Sequence, residues 1–180
     1  MFKALVLVIG LFSTLPAAAA VYRLEPAHTE VRFSYRPLGL GRASARIAAT
    51  GGTLRFDPDQ PGDSAVDVRL DMASLATGSA SLDDHLRGDG YFDVARYPQA
   101  TFRSTNVVMT GATTANVTGD LTLHGITRGV TLAVVFRDDR EGSSLGFLAT
   151  ARVNRSAFGM SGMPLVADAI DLHIEALARP

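Results

Sequence analysis

Apolar and polar side chains alternate one by one through most of this chain. The alternation is clearest in residues 66–72, and it recurs in residues 31–36, 117–123, 130–136 and 170–175. Because successive side chains of a β-strand point to opposite faces, this period predicts strands with one buried face and one solvated face. About eight such strands can be counted, separated by short segments rich in Gly, Pro and Asp. The pattern predicts an all-β fold with an antiparallel sheet, either closed as a barrel or stacked as a sandwich.

One segment between the strands has the features of a short helix. Ser81 can cap it through its hydroxyl group, and Asp83 in the first turn complements the helix dipole. Leu82 and Leu86 are four residues apart and therefore share a face. A second short helical turn is predicted at residues 155–158. The chain shows no linker, internal repeat or shift in composition, so a single domain is expected after the N-terminal segment.

The N-terminal segment has the layout of a cleaved secretory signal. Lys3 is followed by an apolar run at residues 4–15, which is shorter than the roughly 20 residues needed to span a bilayer. Four consecutive alanines come soon after it and supply a cleavage site before Val21. We therefore expect residues 1–20 to be removed and residues 21–180 to act in the periplasm, without a stable membrane anchor.

Composition and charge exclude several classes of function. With 47% hydrophobic and 19% charged residues, the chain is not intrinsically disordered, and its formal net charge of −1 disfavours a nucleic-acid partner. The sequence has no cysteine, which excludes disulfides, a thiolate nucleophile and a cysteine-bound metal. Its four histidines lack the spacing of a helical zinc site, and no serine lies in a nucleophile elbow. We therefore predict no catalytic residue, no metal site and no cofactor.

Some positions predicted to face the interior carry small residues. Gly119 is in phase with Leu121, and Ala45 is in phase with Ile47. A closed barrel of about eight strands has room either for its own side chains or for one small ligand. Small inward residues either leave such space or make room for a neighbouring aromatic ring, and the second is the commoner arrangement because protein interiors are close-packed.

A series of motifs in the chain resembles the YceI-like family. They occupy residues 25–34, 52–58, 73–78, 83–87, 91–98, 101–102, 119–127 and 154–159. Together they extend over essentially the whole mature chain in the family's order. The chain departs from the family pattern at Pro37, Leu82 and Ala157, where the family more often has a histidine, an arginine and an acidic residue.

The resemblance implies a secreted, lipocalin-like antiparallel barrel that encloses an elongated apolar channel. It also implies a periplasmic binding or carrier protein, not an enzyme, whose partner is an isoprenoid lipid such as a polyprenyl chain or an isoprenoid quinone. Two alternatives remain open: an enzyme that acts on such a lipid with His85 and Asp83 as its acid–base pair, and a ligand-free, stress-related structural barrel. Whether the protein forms a homodimer also remains open.

Strand phase indicates which side chains would face the channel of such a barrel. These predicted lining residues are Phe33, Tyr35, Phe56, Val66, Val68, Leu70, Phe102, Leu121, Leu132, Val134, Phe136, Phe158, Met160 and Met163. The polar end of the site, where a headgroup would lie, is predicted at His85, Arg87 and Tyr97.

Overall fold

Nine antiparallel strands and one α-helix make up the computed structural model in the part of the chain that it describes, residues 19–36, 41–57, 60–138, 144–161 and 166–180. The strands are β1 (Ala20–Leu24), β2 (Glu30–Tyr35), β3 (Ala43–Phe56), β4 (Ala65–Asp71), β5 (Gln99–Met109), β6 (Thr114–Leu123), β7 (Ile126–Asp138), β8 (Leu145–Asn154) and β9 (Ala169–Arg179). The helix α1 (Ala80–Arg87) lies between β4 and β5. Short 3₁₀ turns form at Pro26–His28, Pro61–Asp63, Met72–Ser74 and Arg155–Phe158, the last of which confirms the helical turn predicted there.

The sheet closes on itself as a barrel. Hydrogen-bonded neighbours follow the order β1-β3-β2-β9-β8-β7-β6-β5-β4, and pairing of β3 with β4 completes the ring. Strands β1 and β2 both lie between β3 and β9, so they occupy one position that is interrupted by the turn Pro26–His28. The barrel therefore has eight strand positions, and the antiparallel barrel, rather than the sandwich, is confirmed. Closure removes the free sheet edges at which another chain could pair.

Because the sheet is closed, alternate side chains of each strand face the interior and the exterior of the barrel. In β3, for example, Ala45, Ile47 and Ala49 are buried, whereas the residues between them are exposed. Gly119 on β6 is one of the small inward positions, and it makes room for an aromatic ring. A Cβ atom there would lie 2.6 Å from Cζ of Phe102 and 2.4 Å from the carbonyl oxygen of Arg103.

Helix α1 begins before the residue predicted to cap it. Its N-cap is Ser79, whose side chain makes no capping hydrogen bond, and Ser81 lies within the first turn, so the prediction for Ser81 was wrong. The carboxylate of Asp83 instead accepts hydrogen bonds from the backbone N–H and the hydroxyl group of Thr77, both at 2.6 Å. This side-chain contact fixes the turn that leads into the helix, which makes a hydroxyl cap at Ser81 unnecessary.

The two ends of the barrel are built differently. At one end, called here the helix end, α1 and the segment after it connect β4 to β5, and the last residue of β2, the first residue of β3 and the turn Arg155–Phe158 lie at the same end. Leu86 of the helix is buried, and the ring of Phe92 packs against that of Phe33 at a centroid distance of 5.8 Å. The last residues of β3, β5 and β7 lie at the opposite end. No helix in the described part of the chain is long and apolar enough to cross a membrane.

Candidate functional site

The interior of the barrel is not completely filled by its own side chains. It contains a cavity of about 210 Å³ whose wall includes residues from all nine strands, together with Leu86 of α1 and Phe92. The surface that the wall presents is entirely apolar. An apolar cavity of about 150 Å³ in another protein stays dry and takes up benzene, so a space of this size and lining can accept a hydrocarbon group.

Most of the predicted lining residues face this cavity. They are Phe33, Tyr35, Val66, Val68, Leu70, Phe102, Leu121, Leu132, Val134, Phe136, Phe158 and Met160. Phe56 does not line it: the residue is in phase with Leu54, but it is the last residue of β3, and its ring packs against Phe136 at 5.8 Å. Met163 lies outside the described residues. Contact of the lining residues with a ligand remains a prediction.

The three residues predicted for the polar end do not line the cavity, because each has partners elsewhere at the helix end. Nε2 of His85 lies 2.6 Å from the hydroxyl oxygen of Tyr91. The guanidinium group of Arg87 donates to the carbonyl oxygen of Leu75 at 2.6 Å. The ring of Tyr97 packs edge-on against His124 at a centroid distance of 4.8 Å. These contacts engage the three residues outside the cavity wall.

The acid–base pair of the enzyme alternative is not assembled either. Residues two apart on a helix do not face each other, and Asp83 and His85 accordingly have different partners. The two hydrogen bonds from Thr77 are the main reason why the pKa of Asp83 lies below its ordinary value, which keeps this carboxylate ionised. A carboxylate held in this way is a poor proton acceptor at neutral pH, and His85 is directed to Tyr91 instead. In the described residues, no group of three or more acidic or histidine side chains is placed to hold a metal ion.

Three wall residues carry polar atoms, and two of them were missed in the sequence analysis. Thr29 is in phase with Val31 and 4% exposed, and Arg155 is 8% exposed. The guanidinium group of Arg155 donates to the carbonyl oxygens of Met160 and, at 3.0 Å, Val166. Its donors therefore bind backbone that follows the turn Arg155–Phe158. Strand phase could have identified Thr29, but a buried arginine has no signal in hydrophobic periodicity. The third residue is Tyr35, where burial raises the pKa of the phenol.

Comparison with known proteins gives a family match over most of the chain. A family model described as a YceI-like domain matches residues 22–178. A UPF0312 protein of Pseudomonas savastanoi pv. phaseolicola is 38% identical over 177 residues, which cover 95% of this chain and 92% of that protein. A UPF0312 protein of Vibrio parahaemolyticus is 34% identical over 181 residues, covering 96% and 95% of the two chains.

Solved structures share the barrel. BcnA of Burkholderia cenocepacia superposes with a TM-score of 0.75 at 25% identity, covering 86% of this chain and 98% of that one. A domain of Saccharophagus degradans, described as a polyisoprenoid binding domain implicated in plant cell wall breakdown, superposes with a TM-score of 0.67, covering 88% and 97%. Its sequence is only 13% identical, so this second likeness is one of fold alone.

Proposed function

Because the chain belongs to the YceI-like family, we propose that it is a periplasmic binding or carrier protein for an isoprenoid lipid, either a polyprenyl chain or an isoprenoid quinone, held inside the barrel. The observation that carries this proposal is the wholly apolar cavity enclosed by all the strands. The domain from Saccharophagus degradans, whose solved structure has the same fold, is itself called a polyisoprenoid binding domain.

The chemistry of such a ligand fits a wall without polar surface. A polyprenyl tail offers only methyl, methylene and olefin carbons, so it requires no hydrogen-bonding groups along its length. Burial of one five-carbon isoprene unit contributes about 4 kcal/mol at roughly 0.8 kcal/mol per methylene-sized group. More than one buried unit is therefore needed to offset the roughly 4–15 kcal/mol that association costs in lost freedom. Affinity would follow the length of tail enclosed, and a bare tail would bind with little dependence on salt.

The arrangement of polar groups favours binding over catalysis. The wall presents only apolar surface, and the acid–base pair of the enzyme alternative is not formed. The periplasmic part of the proposal comes from the signal-like N-terminus, residues 1–20, most of which lie outside the described residues.

Native mass spectrometry of the protein purified from its own host tests this function. We expect an apolar ligand to co-purify and to be identified as an isoprenoid by its fragments. A protein that is consistently empty, and that takes up no polyprenol or quinone when these are added, would favour the ligand-free structural barrel instead.

A further inference from the structure

A cluster of charged residues lies on the outer surface of the barrel at the helix end. Asp171 is the third residue of β9, and its carboxylate accepts a hydrogen bond from Nε of Arg152 on β8 at 2.7 Å. The same carboxylate lies 3.4 Å from the guanidinium group of Arg42. Arg36, which directly follows β2, is also close enough for its charge to act on Asp171. Two guanidinium groups therefore contact one carboxylate and the charge of a third acts on it, so these four residues carry an excess of positive charge.

The titration of Asp171 reflects this excess. The hydrogen bond from Arg152 is the main cause that lowers the pKa of Asp171, and the charges of Arg152, Arg42 and Arg36 act in the same direction. One carboxylate can neutralise only one of the three arginines. The side chains of Arg42 and Arg152 are 53% and 71% exposed, so their remaining donors are accessible to a ligand.

Strand order shows why the cluster also contains a buried hydroxyl group. Strand β2 lies between β3 and β9, so Arg42, which precedes β3, has to reach across β2 to approach Asp171. Ser34 of β2 is paired in register with both Ser44 and Asp171, and therefore lies on this outer face beneath the path of the arginine. Ser34 is only 7% exposed, and its Oγ has no hydrogen-bond partner among the described residues. A buried hydroxyl without a partner is costly, and an anionic oxygen is the acceptor that it lacks.

We propose that this rim cluster, formed by Arg36, Arg42, Arg152 and Ser34 around Asp171, is a site for a phosphate group, and that the lipid in the barrel is a polyprenyl phosphate or diphosphate. The proposal deepens the proposed function and rests on it. Guanidinium groups suit phosphate because their planar N–H donors match its oxygens in pairs, and their charge strengthens each hydrogen bond.

The position of the cluster relative to the cavity fits one amphipathic ligand. Tyr35, Leu172 and Val153 line the cavity, and each is adjacent in sequence to a member of the cluster, Arg36, Asp171 and Arg152 respectively. The cluster lies within about two residues of the ends of β2, β3, β8 and β9, which corresponds to roughly 7 Å along a strand. A tail inside the barrel could therefore pass over the rim at the helix end and present its headgroup to the arginines.

A comparison of two lipids with the same tail separates the contribution of the headgroup to affinity from that of the hydrocarbon. Dissociation constants are measured at low ionic strength for geranylgeranyl diphosphate and for the uncharged alcohol geranylgeraniol. We expect the diphosphate to bind at least about 10-fold more tightly, the factor that one charge-assisted hydrogen bond supplies. The double variant Arg42→Gln/Arg152→Gln should lose this difference and bind the alcohol as the wild type does.

The matched control is Arg103→Gln on the other side of the barrel. Arg103 is 78% exposed and pairs with Asp67 at 3.0 Å, so this change also removes an exposed arginine with one acidic partner. It should leave the preference for the diphosphate intact. Melting temperatures check that the variants fold, as expected for side chains that are more than half exposed.

The possible results separate failure of the headgroup inference from failure of the lipid-binding function, and a lipid headgroup from a free anion. Equal affinity of the wild type for the two lipids overturns the headgroup inference and leaves the lipid-binding function standing. If neither lipid binds, the proposed function fails, and inorganic pyrophosphate alone then tests the cluster: binding that the double variant abolishes supports an anion site, and absence of binding refutes it. Pyrophosphate that binds as tightly as the lipid diphosphate would show that the free anion, not a lipid headgroup, is the ligand.

Discussion

Replacing Val68 with tryptophan tests whether the space in the barrel is a ligand channel. Val68 lies on β4, lines the cavity, and is paired in register with Gly52 on β3 and Phe102 on β5. An indole ring at this position would project into the cavity from the middle of its wall. The same change in a filled core would overpack it and cost about 1–3 kcal/mol or more.

The size of the cavity sets the expected effect on stability. Tryptophan has about seven more non-hydrogen atoms than valine, close to the six of benzene, which fits a cavity of about 150 Å³. The cavity here is about 210 Å³, so the ring can enter it without displacing its neighbours. We expect the free energy of unfolding of the empty protein to change by less than about 1 kcal/mol, because new apolar burial offsets local strain.

Ligand affinity should fall instead. The ring takes the place of about one isoprene unit, and the loss of about 4 kcal/mol of burial corresponds to a dissociation constant that is roughly 1000-fold higher. Calorimetric titration with a polyprenol measures this change, and denaturant unfolding measures stability. Because the sequence contains no other tryptophan, the blue-shifted emission of the introduced indole would report directly that it lies in an apolar space.

Arg69→Ala is the control for Val68→Trp. Arg69 is the next residue on β4 and faces solvent, so its loss should leave the affinity nearly unchanged. Unfolding of Val68→Trp, together with wild-type affinity in the milder variant Val68→Leu, would refute the reasoning, because it would show a filled core at this strand that the ligand does not touch.

Three further predictions concern packing, pH and export. Gly119→Ala should lower the free energy of unfolding by about 1–3 kcal/mol, because the new methyl group meets a backbone oxygen and an aromatic ring. Gly129→Ala, where no atom lies within 4 Å, should cost far less in the same denaturant titration, and equal losses would contradict this account. Hydrogen bonds from Thr77 lower the pKa of Asp83, so this carboxylate stabilises the fold above about pH 4 and ceases to do so as the pH falls through its lowered pKa. Asp83→Asn should therefore be less stable than the wild type at pH 7, with a difference that shrinks in acid; a constant difference at every pH would count against it. N-terminal sequencing of exported protein should begin at Val21 or within a residue or two, and recovery of the intact N-terminus would contradict export with cleavage.

The sequence by itself determined which side chains of each strand face inward. The direction of a strand side chain depends on its own backbone, so alternation was sufficient to predict the inward phase of Val68, Leu132 and Val134. The approximate number of strands was predictable for the same reason. The phase of Phe56 was also correct, but whether a residue at a strand end meets the cavity depends on the ring beside it, here Phe136.

Closure of the barrel and the grouping of charges were decided by the tertiary structure. Alternation is the same in a barrel and in a sandwich, and only the pairing of β3 with β4 and of β2 with β9 distinguishes them. Arg42, Arg152 and Asp171 are not adjacent in sequence; they come together because β3, β2, β9 and β8 are successive neighbours in the closed sheet. His85 is predictable as a polar residue of a helix, but its hydrogen bond to Tyr91 depends on how the chain turns after the helix. Side-chain direction is a local property that a sequence carries, whereas contacts between distant segments depend on strand register and chain path, which form only when the sheet closes.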